Sequence, residues 1–214
     1  MPAGSGDVFF TPELFCESER KGITAWREAF PGKRVALFHD AIPLKHPEFT
    51  WPKSVARHPF YLKELSTYDL VLANSGYSRK ELMEYWQWAG LKGTPSVVAI
   101  PLGADFSGAT RVRPDLDDSS GGGPRPLRLL MIGIIEPRKN QETVIDAIRQ
   151  LRGEGRKVEL TLVGRVNPHY GKPILKKVES LARQGLPVRY CRQVSDAELV
   201  KLYQRCDLAV FPSV

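Results

Sequence analysis

Short apolar runs alternate along the chain with longer segments in which apolar side chains return every three or four residues. The runs are typical of strands buried on both faces of a parallel sheet, and the longer segments are typical of amphipathic helices packed on such a sheet. This regular alternation predicts an α/β protein. The predicted strands are 6–10, 34–38, 69–73, 96–100, 127–132, 158–163, 188–191 and 208–211.

The predicted helices lie between these strands. The first is expected over 13–29, although Gly22 weakens it because glycine is a poor helix former. The Pro-rich stretch 41–53 is expected to be a loop, and Pro59 is suited to the first position of the helix after it. The other helices are expected over 78–89, 140–152 and 173–183.

The start of the last predicted helix is marked by a capping sequence. Ser195 is followed three residues later by Glu198, which is the sequence of a capping box. The apolar spacing beyond it predicts an inward face, whose members are Leu199, Leu202, Tyr203 and Cys206.

The alternation is interrupted once, by residues 107–126, which are rich in Asp, Ser, Gly and Pro. Such a composition predicts a linker or a surface excursion between domains. The chain is therefore expected to hold an N-terminal domain over 1–106 and a C-terminal domain over 127–214. Each is predicted to be a Rossmann-like, doubly wound parallel-sheet domain.

Composition places the chain among globular proteins. Its 42% hydrophobic and 26% charged residues are typical of a soluble domain, and no apolar run approaches the roughly 20 residues that span a bilayer. The N-terminal residues lack the apolar core of a signal peptide. The three cysteines, Cys16, Cys191 and Cys206, are too scattered for a disulfide framework or a zinc site. A cytoplasmic location is expected.

Charge is distributed unevenly. Basic and acidic residues balance in 1–106, so the net charge of +7 comes entirely from 107–214. This surplus indicates an anionic ligand or surface on the C-terminal side, and a solvated basic face is the alternative. No zinc-finger, RRM or helix-turn-helix signature is present, so nucleic acid is not the expected partner.

The most informative stretch is Gly133-Ile-Ile-Glu-Pro-Arg-Lys-Asn140. It lies between a predicted strand and a predicted helix, for which Asn140 is a suitable N-cap. Ligands of open α/β sheets bind at the carboxyl ends of strands, and helix N-termini there favour anions. Because Arg138 and Lys139 add positive charge at this point, the stretch suits a phosphate or diphosphate.

Several segments in this order and spacing resemble the GT-B glycosyltransferases, specifically the retaining, nucleotide-sugar-dependent family 4, or glycosyl transferases group 1. The resemblance spans residues 6–214 and implies a GT-B fold with two Rossmann-like domains. The segments that carry it are Phe38–Glu48, Asp69–Ser75, Tyr77–Arg79, Ile100–Asp105, Gly133–Asn140, Leu162–Gly164, Val194–Leu199 with Tyr203, and Val210–Ser213.

The resemblance implies that the C-terminal domain binds the sugar nucleotide, with Arg138 and Lys139 on the donor diphosphate and Gly133 allowing close backbone approach. The alternative for the two cations is an exposed helix start, where the helix dipole disfavours positive charge. Glu136 either orients Arg138 or is a simple loop carboxylate. Gly164, Arg165 and Gln193 end neighbouring strands, and similar positions in the family flank the base and ribose.

In the N-terminal domain the resemblance implies that His39 faces the transferred sugar, either in contact with it or stabilising its developing oxocarbenium charge. Taken alone, a histidine at a strand end is more often structural. Asp40 either orients His39 or caps the following loop. Asn74 and Ser75 either line the same cleft or form a helix N-cap. Gly103 is expected in a tight turn.

The implied activity is transfer of a sugar from a nucleotide-diphosphate sugar to a glycan or lipid-linked acceptor, with retention and without a metal or other cofactor. The stretch Ile42–Glu48 resembles members that act on mannose, so a GDP-mannose donor is expected. Further expected partners are an anionic membrane, contacted peripherally at its inner face, and a second copy of the chain, paired through sheet edges.

The chain departs from the family pattern at both ends. The family's opening strand with a Gly-rich loop and its later motif with two glutamates are not found in these residues, so both domains are expected to be incomplete. We therefore expect a truncated enzyme that alone transfers sugar weakly or not at all. The alternative function is a non-catalytic nucleotide-binding or scaffold module. A dinucleotide-dependent enzyme is disfavoured because no Gly-x-Gly-x-x-Gly follows a strand.

Overall fold

The computed structural model describes residues 3–13, 21–103 and 125–213. The chain forms two compact units, Met1–Ala109 and Thr110–Val214. Each unit contains a four-stranded parallel sheet with helices in the strand connections. The predicted α/β class with two parallel sheets is therefore confirmed. Most of the expected linker, residues 107–124, lies outside the described part of the chain.

The first unit has the strand order β1-β2-β3-β4, and all neighbouring pairs are parallel. The described strands thus follow one another across the sheet in chain order. The strands are β1 (Val8–Thr11), β2 (Lys33–Phe38), β3 (Leu70–Ala73) and β4 (Ser96–Ala99), and the helices are α1 (Ile23–Glu28), α2 (Ile42–Lys45), α3 (Pro52–Leu65) and α4 (Gly76–Trp88).

The first two predicted helices differ from the structure. Residues 14–20 of the first lie outside the described residues, and α1 begins only after Gly22, whose φ is 84°. The expected loop 41–53 contains α2, a short 3₁₀ turn and the start of α3. Pro52, not Pro59, occupies the first turn of α3, where a missing N–H costs nothing.

Pro59 lies inside α3. There a proline removes one helical hydrogen bond, which is unfavourable by itself. The helix continues because its inner face is buried: Leu62 and Leu65 are fully buried, and the indole N–H of Trp86 on α4 donates to the carbonyl of Leu62 at 2.8 Å. Tertiary packing therefore overrides the local helix-breaking signal.

The second unit has the strand order β7-β6-β5-β8, again with parallel pairs. Its buried side chains form a core that includes Ile145, Leu160 and Val178. The elements are β5 (Leu127–Ile132), α5 (Gln141–Gly153), β6 (Val158–Val163), α6 (Gly171–Arg183), β7 (Val188–Cys191), α7 (Asp196–Arg205) and β8 (Leu208–Ala209). These strands coincide with the predicted ones, although the last is shorter.

The winding of this second sheet changes direction at β5. The chain passes from β5 to β6 and β7 on one side and then returns to place β8 on the other side of β5. Asp207 anchors the return, since it accepts hydrogen bonds from the Arg128 backbone N–H at 2.7 Å and from Arg125 at 2.8 Å. The Arg125 hydrogen bond holds the pKa of Asp207 below its usual range.

Helix α7 carries the predicted capping box. The Ser195 hydroxyl accepts the Glu198 N–H, and the Glu198 carboxylate accepts the Ser195 N–H. The predicted inward face is weaker than expected, because Leu199, Leu202 and Cys206 are only half-buried and Tyr203 is exposed. Among the described residues, no helix is both long and apolar enough to cross a bilayer.

Candidate functional site

The carboxyl ends of β5, β6 and β7 lie side by side, since Ile132, Val163 and Cys191 are paired in register. Backbone pairing continues one residue further: the Gly133 N–H donates to the Val163 carbonyl at 2.9 Å, and the Gly164 N–H donates to the Cys191 carbonyl at 3.0 Å. The three following loops therefore start from one edge of the sheet. This is the edge at which open α/β sheets bind ligands, next to the reversal of winding at β5.

Gly133 and Gly164 make the first two loops approach each other closely. Their φ angles are +152° and +151°, which favour glycine. A Cβ on Gly164 would lie 2.0 Å from the carbonyl oxygen of Gly133, so no side chain fits there without moving the backbone. The atoms nearest to a Cβ on Gly133 would be those of the aliphatic stem of Lys139, at 3.8 Å.

The predicted cationic segment is a 3₁₀ turn, Pro137–Lys139, between β5 and α5. The Arg138 guanidinium donates through Nη2 to Oε1 of Glu136 at 2.9 Å. The Glu136 residue is only 7% exposed, whereas the Arg138 side chain keeps 23% of its surface accessible. This hydrogen bond corresponds to the alternative in which Glu136 orients Arg138.

Asn167, in the loop after β6, completes this arrangement. Its Nδ2 donates to Oε2 of Glu136 at 3.0 Å, so both carboxylate oxygens of Glu136 are engaged. Sequence reasoning missed this residue. The only local signal is an asparagine before a proline, which indicates a turn but no ligand.

Gln141 is a second residue that sequence reasoning missed. It is 1% exposed, and its Nε2 donates to the Ile134 carbonyl at 2.9 Å, which fixes the backbone just after Gly133. Asn140 occupies the expected N-cap position of α5 but caps nothing with its side chain. Its backbone is left-handed, with φ 58°, and its Oδ1 instead accepts the Thr143 hydroxyl at 2.7 Å.

The remaining predicted donor residues lie at the same edge of the sheet. Arg165 directly follows Gly164, is exposed, and accepts the Ile135 N–H at its backbone carbonyl at 2.7 Å. Gln193 follows the end of β7 and is also exposed. The second unit thus brings together Gly133, Glu136, Arg138, Lys139 and Gly164, with Arg165 and Gln193 on the adjoining loops.

In the first unit, His39 and Asp40 follow β2. The His39 ring is exposed, and its Nε2 lies 2.9 Å from the Pro12 carbonyl oxygen. Asp40 accepts the Ile42 N–H at 3.0 Å. This hydrogen bond corresponds to the capping alternative for Asp40, at the start of α2.

Asn74 and Ser75 follow β3, the strand next to β2. The Ser78 side chain links them to the His39 backbone. The Ser78 hydroxyl lies 2.8 Å from both the His39 carbonyl oxygen and Asn74 Oδ1. Ser75 accepts the Ser78 N–H at 3.0 Å and is therefore the N-cap of α4. Gly103 is exposed, and a Cβ there would enter open space.

Two half-buried titratable side chains, His58 and Tyr61, lie next to the His39–Asp40 turn. Burial lowers the pKa of His58 and raises the pKa of Tyr61. Their rings are 5.3 Å apart, and the charge of Asp40 acts on both. The turn therefore lies beside a pair of aromatic rings whose burial disfavours charge.

Comparison with known proteins places the chain beside glycosyltransferases. The family Glycosyl transferases group 1 matches residues 113–214. Over 192 residues the chain is 30% identical to the serotype-specific mannosyltransferase WbdA of Escherichia coli. That match covers 86% of this chain and 23% of WbdA, so the chain spans less than a quarter of this relative's length.

Solved structures of glycosyltransferases share the fold. The α,α-trehalose 6-phosphate synthase of Burkholderia multivorans superposes with a TM-score of 0.61 at 18% identity, covering 89% of this chain and 48% of that one. Anabaena HepE, determined with UDP and glucose, gives 0.58 at 21% identity, with 85% and 47% covered. The resemblance to group 1 glycosyltransferases and the GT-B fold class predicted from sequence are therefore confirmed.

Proposed function

We propose that this chain, whose residues 113–214 are of the glycosyl transferases group 1 family, binds a nucleotide-diphosphate sugar through its second unit as the donor side of a glycosyltransferase. The observation that carries the proposal is the fixed Arg138 beside Lys139, at the carboxyl edge of the sheet where its winding reverses. In this role the two cations contact the donor diphosphate.

The chemistry of such a site follows from charge. Sugar transfer leaves negative charge on the departing nucleoside diphosphate, and preorganised cations stabilise that charge without reorganising. Arg138 is preorganised by Glu136, and the Lys139 stem lies along Gly133. Because these two cations neutralise the negative charge of the diphosphate, we propose that donor binding requires no metal ion.

His39 is proposed to face the transferred sugar. Its backbone is held by Ser78, together with Asn74, while its ring stays exposed at the end of β2. An exposed imidazole held at its backbone is suited to a hydrogen bond with a sugar hydroxyl.

The proposed reaction is transfer of mannose, with retention, to a glycan or lipid-linked acceptor. The WbdA relatives, which are mannosyltransferases, support the choice of sugar. The structure of HepE was determined with UDP and glucose, so uridine nucleotides are compared with guanosine nucleotides in the binding test.

The test is calorimetric titration of the chain with GDP-mannose, GDP, GMP, UDP-glucose and UDP, for wild type, Arg138→Ala and Lys139→Ala. Each variant should bind the diphosphates roughly 10- to 100-fold more weakly, because a charge-assisted hydrogen bond contributes about 1.5–3 kcal/mol. GMP should be affected less. Arg149→Ala is the control, since Arg149 lies on the exposed face of α5 and pairs there with Asp146.

Several results would contradict the proposal. Equal losses of affinity for GMP and GDP in the two alanine variants would contradict a role of the cations in binding the diphosphate. A loss of binding in EDTA would contradict metal independence. Failure of wild type to bind any of the nucleotides would contradict the proposal as well.

A further inference from the structure

Glu136 holds Arg138, but Glu136 is itself held from another loop. Its buried carboxylate receives Arg138 on one oxygen and Asn167 on the other, at 2.9 and 3.0 Å. The Glu136–Asn167 hydrogen bond joins the loop after β5 to the loop after β6, across 31 residues of sequence. The direction of the guanidinium thus depends on a neutral side chain that carries none of the charge.

The Asn167 amide can adopt only one orientation here. Its Oδ1 accepts the backbone N–H groups of His169 and Tyr170, at 2.9 and 3.2 Å. These two donors must meet oxygen, so the nitrogen end of the amide is directed at Glu136. Asn167 therefore presents a fixed N–H donor to the carboxylate.

Such a donor matters next to an anion site. A carboxylate that could rotate freely would let the Arg138 side chain sample many rotamers. A carboxylate held at both oxygens presents Arg138 in one place, which reduces the entropy lost when a ligand binds.

The two loops do not need this side-chain bond to stay together. The Ile135 N–H donates to the Arg165 carbonyl at 2.7 Å, and the Asn167 N–H donates to the Ile135 carbonyl at 3.0 Å. Gly171 also packs against the Ile135 carbonyl so closely that a Cβ would lie 2.2 Å away. The Asn167–Glu136 hydrogen bond is therefore not needed to join the two loops, and its effect is to fix the carboxylate that holds Arg138.

We infer that Asn167 is a positioning residue that, through Glu136, fixes the Arg138 guanidinium for a nucleoside diphosphate. This inference rests on the proposed donor site for its ligand. The placement of Arg138 by Asn167 can be measured without any ligand.

Asn167→Asp isolates the donor function. The introduced carboxylate still accepts the His169 and Tyr170 N–H groups, but it cannot donate to Glu136 and repels it. We expect GDP to bind about 10-fold more weakly to Asn167→Asp, with GMP changed less than about twofold, in calorimetric titration. Thr143→Ala is the control, because its hydroxyl bonds the nearby Asn140 side chain but not Glu136.

The compensating variant is the double substitution Glu136→Gln with Asn167→Asp. The introduced amide can donate to the introduced carboxylate while its oxygen still accepts Arg138, so the relay is rebuilt with its polarity reversed. GDP affinity should return to within about threefold of wild type. Glu136→Gln alone places two amide donors face to face, so its GDP affinity should stay below that of wild type.

A structural role for Asn167 would give a different result. If Asn167 were structural, Asn167→Asp would lower the midpoint of thermal unfolding and weaken the binding of GDP and GMP by the same factor. The double variant would then not restore the ratio of the GDP and GMP affinities. A GDP-to-GMP affinity ratio unchanged by Asn167→Asp would therefore overturn the inference.

The Arg138 side-chain resonances in NMR give the ligand-free readout. Slow guanidinium exchange in wild type should become fast in Asn167→Asp and slow again in the double variant. If wild type binds neither GDP nor UDP, the proposed function fails, and the diphosphate part of the inference fails with it. Unchanged resonances in Asn167→Asp would overturn the positioning role itself.

Discussion

Single atoms decide the geometry of the candidate site at Gly164. The carbonyl oxygen of Gly133 occupies the space that a Cβ on Gly164 would need. The positive φ of Gly164 adds a second penalty for any other residue. Gly164 thus sets how closely the loops after β5 and β6 approach, and with it the distance over which Asn167 reaches Glu136.

Gly164→Ala should destabilise the second unit by more than about 2 kcal/mol, because a backbone atom must move and the strained φ remains. Urea unfolding followed by circular dichroism measures the change.

Gly153→Ala is the matched control for this change. Gly153 is the last residue of α5, with open space around it and no positive φ. Its replacement should be neutral or stabilise by about 0.5–1 kcal/mol. Equal effects at the two glycines would contradict the steric account of Gly164.

At the scale of elements, α7 differs from the other helices of the second unit. None of its residues is buried, whereas α5 and α6 each bury several side chains. Its start depends on the Ser195–Glu198 capping box. Because α7 leads directly into β8, this lightly packed helix precedes the strand that pairs on the other side of β5.

Ser195→Ala should open α7 locally, because the loss of an N-cap hydroxyl costs about 1 kcal/mol and little burial compensates for it. Amide hydrogen exchange should rise about fivefold in 196–205, with little change in α5. Ser195→Thr, which keeps the hydroxyl, should resemble wild type.

The same cap gives α7 a pH dependence. Hydrogen bonds from the Ser195 backbone lower the pKa of Glu198, so the stabilisation is present above the unfolded pKa and is lost as pH falls through the folded one. Protection factors in α7, which correct amide exchange for its intrinsic pH dependence, should therefore fall on acidification, and unchanged factors would contradict this account.

At the scale of the whole molecule, the two units have separate hydrophobic cores. One core contains Phe38, Leu62 and Trp86, and the other contains Ile145, Leu160 and Val178. All four tryptophans, at positions 26, 51, 86 and 88, belong to the first unit. Tryptophan fluorescence therefore reports on the first unit alone.

GDP should stabilise only the unit that holds the diphosphate site. At about 100 times its Kd, a ligand adds roughly 2.7 kcal/mol, which shifts a unit of this size by on the order of 10 °C. We expect this shift in one calorimetric transition, with no shift in the fluorescence transition. Arg138→Ala should abolish it. Equal shifts in both signals would show that the units unfold together.

The sequence alone determined the elements of this protein and its cationic turn. Strand positions and helix periods are local properties, readable from apolar spacing, and Arg138 and Lys139 stand out because they are charged residues between a strand and a helix. Helix α2 and the start of α3 lie in the expected loop 41–53, and α3 continues through Pro59 because Leu62 and Leu65 on its inner face are buried. The roles of all the candidate site residues, among them Arg138, Lys139 and His39, stay predictions.

Only the tertiary structure decided how the turn is organised. Strand order, and therefore the reversal of winding beside β5, depends on pairing between distant segments that no local pattern encodes. The Asn167–Glu136 bond has the same origin, since its partners are 31 residues apart and meet only because β5 and β6 pair in register. Residues that bind by charge can be found in a sequence, whereas those that hold them depend on contacts formed by folding.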